Sequence, residues 1–104
     1  MLDLVLLGLG DDGHTASLFP GTAATRERQR TVTVGDGKGL ARITLTAPVL
    51  SAARQVIFLV SGEGKRQALS RLLDPSESPE RTPARLVQPS TAALVLADNG
   101  AAPP

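Results

Sequence analysis

Residues 2–14 read Leu2-Asp3-Leu4-Val5-Leu6-Leu7-Gly8-Leu9-Gly10-Asp11-Asp12-Gly13-His14, and this stretch decides the fold. Leu2 to Leu9 is a near-continuous aliphatic run closed by glycines, as expected of a β-strand buried on both faces of a parallel sheet. Such a strand needs strands beside it and helices above and below it. Polar residues crowd directly after its carboxyl end. In open α/β sheets that is where loops and helix N-termini converge and ligands are usually held.

Outward from this strand, the pattern predicts a short helix beginning around Gly13 and stopped by Pro20 and Gly21, with Asp11 or Asp12 placed to cap it. Thr22 to Gly39 is polar and glycine-punctuated, so it reads mostly as loop, with a short strand at Thr31 to Val34. Leu40 to Thr46 alternates apolar and polar side chains, which fits an edge strand. Thr46 is placed to cap a short helix starting near Ala47 and Pro48, with Val49, Leu50 and Ala53 inward. Val56 to Val60 is a second continuous apolar run. Ser61-Gly62-Glu63-Gly64-Lys65 then turns into a helix carrying Ala68, Leu69, Leu72 and Leu73 on one side. Asp74 to Pro83, with three prolines, reads as a surface loop, Arg85 to Pro89 as extended, Ala92 to Ala97 as a last strand and Asp98 to Pro104 as a frayed end. The alternation describes one α/β domain over residues 1–104 with a mostly parallel sheet.

Composition narrows the function classes. Of the 104 residues 41% are hydrophobic but only 2% aromatic, so the core must be aliphatic. Without cysteine there is no disulfide, thiolate nucleophile or Cys-ligated metal, and a reducing compartment, the cytoplasm by default, is expected. A net charge of +1 with no Tyr or Trp offers neither a basic stripe nor stacking platforms, so no nucleic-acid partner is expected. The leading apolar run is interrupted by Asp3, is too short to span a bilayer and lacks a basic leader, so no membrane association is expected.

His14 is the one imidazole, two positions after Asp12. A neutral imidazole can take a proton from water, and a neighbouring carboxylate can orient the ring and stabilise the imidazolium. The bland alternative is a surface or capping histidine. No second histidine or distant acidic cluster completes a metal site. Lys65 stands at the start of a helix, where a cation opposes the dipole, which hints at an anion such as a phosphate to grip. A solvated lysine is the alternative, and Arg42 and Arg54 are cations of the same kind. Ser17 lacks the sharp elbow of a hydrolase nucleophile.

Leu6-Leu7-Gly8-Leu9-Gly10-Asp11-Asp12-Gly13-His14-Thr15-Ala16-Ser17-Leu18-Phe19-Pro20-Gly21 closely resembles the signature of 6-phosphogluconolactonases. Residues 42–54, 58–65 and 83–89 look like further blocks of that family. The resemblance implies a Rossmann-like three-layer α/β fold shared with glucosamine-6-phosphate deaminases and ribose-5-phosphate isomerases. It also implies hydrolysis of 6-phosphogluconolactone in the oxidative pentose phosphate pathway, with no metal or other cofactor. The deaminases carry a similar turn, but the segment Ser17-Leu18-Phe19-Pro20-Gly21 favours the lactonases.

Carried over, His14 matches the general base, Asp12 its acidic neighbour and Lys65 the cation facing the substrate phosphate. Gly10, Gly13, Arg42 and Arg54 are carried as substrate-binding residues. Family members are a little over twice this length, and the resemblance covers only their C-terminal part. It therefore implies an incomplete fold, without the N-terminal half's phosphate loop and further arginine, and weak or no activity of the chain alone. The uncovered sheet is expected to be met by that half or by a second copy. A non-catalytic phosphosugar-binding or self-associating domain is the alternative from another class.

Overall fold

The computed structural model describes residues 1–103. Three strands form a parallel sheet in the order β1 (Leu4–Leu7), β4 (Gln55–Val60), β5 (Leu94–Ala97). Val5 lies opposite Val56, Leu7 opposite Phe58, and Phe58 opposite Val95. These are the three apolar runs of the sequence, and continuous branched side chains are what a buried parallel sheet selects. The fold is Rossmann-like, with a mostly parallel sheet.

One face of the sheet is covered. Val5, Leu7, Val56, Phe58 and Val60 pack with Leu50 and Ala53 at helix α1 (Ala47–Ser51) and with Ala68 and Leu69 of helix α2 (Arg66–Leu73). Phe58 is 1% exposed and central, so truncating it to alanine would cost about 3–5 kcal/mol. The other face is bare. Leu4, Leu6, Leu59, Leu94 and Leu96 are each about half exposed, which corrects the expectation that the first strand is buried on both sides. Within this chain β1 is an edge strand with one covered face.

The segment expected to be loop holds the second difference. Strand β2 (Val32–Gly37) pairs antiparallel with β3 (Leu40–Leu45) in a hairpin separate from the parallel sheet, so Leu40 to Leu45 is not an edge of that sheet. The glycines of β2 have a packing reason. A Cβ at Gly35 would overlap the carbonyl of Ser17, and one at Gly37 would overlap the ring of Phe19. The hairpin docks backbone-first on the segment after His14, which only glycine permits.

No helix forms around Gly13; residues 11–22 are turns and irregular backbone with an isolated bridge between Thr15 and Leu18. Gly13 (φ +88°) and Ala16 (φ +50°) adopt left-handed conformations that a right-handed helix cannot contain. Thr46 is the N-cap residue of α1, but its hydroxyl donates to the Arg30 carbonyl (2.7 Å) and accepts no amide hydrogen bond from the helix. Residues 83–86 form a 3-10 turn, so the extended segment expected from Arg85 begins only at Val87; Thr82, Pro83 and Ala84 are buried, so the proline-rich stretch expected on the surface ends in the core. The chain after Asp98, expected to fray, is held through Ala102. Ala101 is fully buried, and the amide of Ala102 donates to the Asp98 carbonyl (3.0 Å). Pro104 lies outside the described residues. Among the described residues no helix is long and apolar enough to cross a membrane.

Candidate active site

The turn after β1 is tied at both ends. The Gly13 amide donates to the Gly10 carbonyl (2.9 Å), and the Gly10 amide donates to that of His14 (2.8 Å). Thr15, buried, donates its hydroxyl to the Gly8 carbonyl (2.7 Å), anchoring the turn to the end of the strand. The Ser17 amide donates to the Thr44 hydroxyl (3.1 Å) on the hairpin. From the far side, the Ala84 amide donates to the Gly13 carbonyl (3.0 Å), while the Thr82 side chain fills the space beside Gly13.

This scaffold brings His14 and Asp12 together. Nδ1 of His14 is 2.5 Å from Oδ1 of Asp12, and the same oxygen accepts the His14 backbone amide at 3.0 Å. Partial burial pushes the Asp12 carboxyl upward, but these bonds from His14, its positive charge when protonated, and Lys38 outweigh it, leaving Asp12 below the ordinary carboxylate range. The aspartate therefore stays ionised at neutral pH. An Nδ1–H···Oδ1 bond fixes the tautomer and leaves Nε2 as the nitrogen free to accept a proton.

His14 and Lys65 line one open cleft of about 390 Å³ together with Gly8, Leu9, Gly10, Thr15 and Ala16. Lys65 ends a 3-10 turn, Glu63–Lys65, that runs directly into α2. The preceding turn is less free for an anion than its glycines suggest. Asp98 accepts the Gly62 amide (3.1 Å), the Ser61 hydroxyl (2.8 Å) and the Ala101 amide (2.9 Å). These bonds, with the Gly100 amide, hold its carboxyl below the ordinary range. The side chain of Lys65, more than the amides of the turn, is thus what a ligand would meet.

The two arginines separate. Arg42 stands on β3 with its guanidinium 5.8 Å from the centre of the Phe19 ring, one residue removed from His14. Arg54 precedes β4 at the amino end of the sheet, where it pairs with Asp3 (3.5 Å), so the fold does not bring it to this cleft. Ser17 is absent from the cleft lining. Among the described residues no three metal-ligating side chains converge.

Sequence reasoning missed Phe19, which stacks on His14 with ring centroids 4.3 Å apart. That it is one of only two phenylalanines was the available signal. It also missed Lys38, at the hairpin tip 3.9 Å from Asp11, and the clasps of Thr82 and Asp98, for which the sequence carries no local signal.

A carboxylate-oriented imidazole and a lysine sharing a cleft beyond parallel strands define an open α/β domain with a candidate proton-transfer site. The family model described as "Glucosamine-6-phosphate isomerases/6-phosphogluconolactonase" matches residues 1–96, and the chain belongs to that family. It is 48% identical over 99 residues to a 6-phosphogluconolactonase of Synechocystis, covering 95% of this chain and 41% of that protein. It is 49% identical over 98 residues to the human 6-phosphogluconolactonase, covering 90% and 37%. The solved 6-phosphogluconolactonase of Trypanosoma brucei superposes with a TM-score of 0.83 at 33% identity, over 95% of this chain and 40% of that one. A monomeric glucosamine-6-phosphate deaminase gives 0.70 at 26% identity, over 95% and 46%. The chain spans about two fifths of the length of the curated relatives it matches.

Proposed function

We propose that the chain carries the proton-transfer part of a site that hydrolyses 6-phosphogluconolactone to 6-phosphogluconate. The observation that carries this reading is the 2.5 Å contact between His14 and Asp12 on a cleft that Lys65 also lines. Nε2 of His14 accepts a proton as water adds to the lactone carbonyl. The ring C–O bond then breaks, and the imidazolium returns the proton to the departing ring oxygen. Asp12 steadies the imidazolium, and Lys65 holds the substrate phosphate as a point charge. The steps need no covalent enzyme intermediate and no cofactor.

Among solved structures the match to the lactonase of Trypanosoma brucei, at 33% identity and a TM-score of 0.83, exceeds that to the deaminase, at 26% and 0.70, which supports this substrate over glucosamine 6-phosphate. Among the described residues Lys65 is the one lysine or arginine lining the cleft, which supports weak turnover by the chain alone. A cytoplasmic setting accords with the absence of cysteine. The test compares hydrolysis of the phosphorylated lactone with that of its unphosphorylated counterpart, in the chain and in Lys65→Ala. Preference for the phosphorylated lactone that Lys65→Ala abolishes supports the reading; ammonia release from glucosamine 6-phosphate would overturn it.

The bare leucine face favours a second reading, a phosphosugar-binding domain that self-associates. Binding of 6-phosphogluconate without turnover, together with concentration-dependent association, would select it.

A further inference from the structure

The Asp12 hydrogen bond determines which nitrogen of His14 faces the carboxylate, but it does not by itself fix the plane of the ring. The torsion between Cβ and an imidazole is broad, so a ring held at one atom still rocks. The plane needs a second surface, and the structure supplies one. Phe19 is nearly buried and stacks on the imidazole with an interplanar angle of 29°. The phenyl ring is backed by Gly37 of β2, where even a methyl group would overlap Cγ, Cδ2 and Cε2. Arg42 places its guanidinium over the same ring, the arrangement in which a cation is attracted to an aromatic face. Against the Nδ1 edge of the imidazole lies Gly10, with no room for a side chain.

We propose that Phe19 is a positioning residue for His14. The β2–β3 hairpin presses the phenyl ring against the imidazole, and Arg42 reaches the site through that ring and not through the substrate. This assigns purposes to three features that the proton-transfer reading leaves idle: a glycine inside a strand, an aromatic residue beside the histidine, and an arginine short of the cleft. It rests on His14 being the proton acceptor. It is tested by ring position and not by turnover, so failure of the lactonase reading appears in an assay and failure of this one in spectra.

His14 is the sole histidine, so the imidazole contributes a single pair of carbon-bound ring protons to the proton NMR spectrum. In the chain those signals are expected upfield of free imidazole, because they lie over an aromatic face, with a cross-relaxation contact to the Gly10 α-protons. Phe19→Tyr preserves both features. Phe19→Leu loses the upfield displacement and the Gly10 contact while the methyl signals of Leu50 and Leu69 stay dispersed. Arg42→Ala, at an exposed position, keeps the fold and reduces the displacement. A folded Phe19→Leu chain that retains the Gly10 contact overturns the proposal. If Phe19→Leu does not fold, unchanged imidazole signals in Arg42→Ala overturn it instead.

Discussion

Gly10 lies so close to the His14 ring that a methyl group on its Cα would overlap Nδ1 and Cε1 and crowd Oδ1 of Asp12. The glycine is therefore part of how the pair is held, although its φ is unremarkable for any residue. Gly10→Ala should displace the imidazole and break the 2.5 Å bond to Asp12. Loss of an aligned proton acceptor costs about 10²–10⁴-fold in rate. Lactone hydrolysis by this variant should fall in that range, a larger loss than that in 6-phosphogluconate binding measured by titration, because Lys65 is left in place.

Asp12 gives the site a pH signature. Its carboxyl lies below the ordinary value of 3.8 in the folded chain, so it stabilises the fold above that value, and the contribution disappears as pH falls through the depressed one. The side chain is 40% exposed, and solvent screening keeps the effect below about 1 kcal/mol. Urea midpoints measured from neutral pH down to strongly acidic conditions should show an acid loss in the wild type that is smaller in Asp12→Asn, the remainder belonging to carboxylates such as Asp98 that are also held below the ordinary range. Parallel curves for the two proteins would contradict this.

Gly13 combines φ +88° with a Thr82 methyl group 3.0 Å from where its own Cβ would stand. Gly13→Ala pays for the left-handed backbone and for displacing Thr82, a cost of about 1–3 kcal/mol. Thermal unfolding should show it as a lowered midpoint. The same substitution at Gly64, which has open space around it and no positive φ, should leave the midpoint nearly unchanged.

Much of this was legible in the residues themselves. The apolar stretches Leu2 to Leu9, Val56 to Val60 and Ala92 to Ala97 announced the parallel strands Leu4–Leu7, Gln55–Val60 and Leu94–Ala97, because continuous apolar side chains have few other uses. The pairing of Asp12 with His14 followed from their spacing on a tight turn. The hairpin was obscured by its own packing: Gly35 and Gly37 read as loop residues, whereas they are strand residues chosen for close approach to Ser17 and Phe19. Thr46 looked like a cap and is one by position, yet its hydroxyl serves the Arg30 carbonyl, a partner 16 residues away that local pattern does not reveal. The position of Arg54 was hidden for a similar reason, since only the sheet's direction shows that it stands at the amino end, away from the cleft. The bare face was hidden because a leucine in a strand reads the same whether or not anything covers it.

That face has its own consequence. Leu59 and Leu96 are opposed across neighbouring strands and each is about half exposed. Replacing them with an opposite-charge pair, Leu59→Glu with Leu96→Lys, should change stability by little more than about 0.5 kcal/mol per site. Sedimentation should show less association than in the unmodified chain. An unfolded double variant would mean that the face is buried in the chain as it exists in solution.

The most direct test of the proton-transfer assignment is the initial rate of 6-phosphogluconolactone hydrolysis above the spontaneous background near neutral pH, with the chain and its His14→Ala variant at equal concentration. The account predicts a measurable, weak excess for the chain that the substitution lowers by about 10²–10⁴-fold, effectively to background. A His14→Ala chain that hydrolyses the lactone as fast as the original would contradict it.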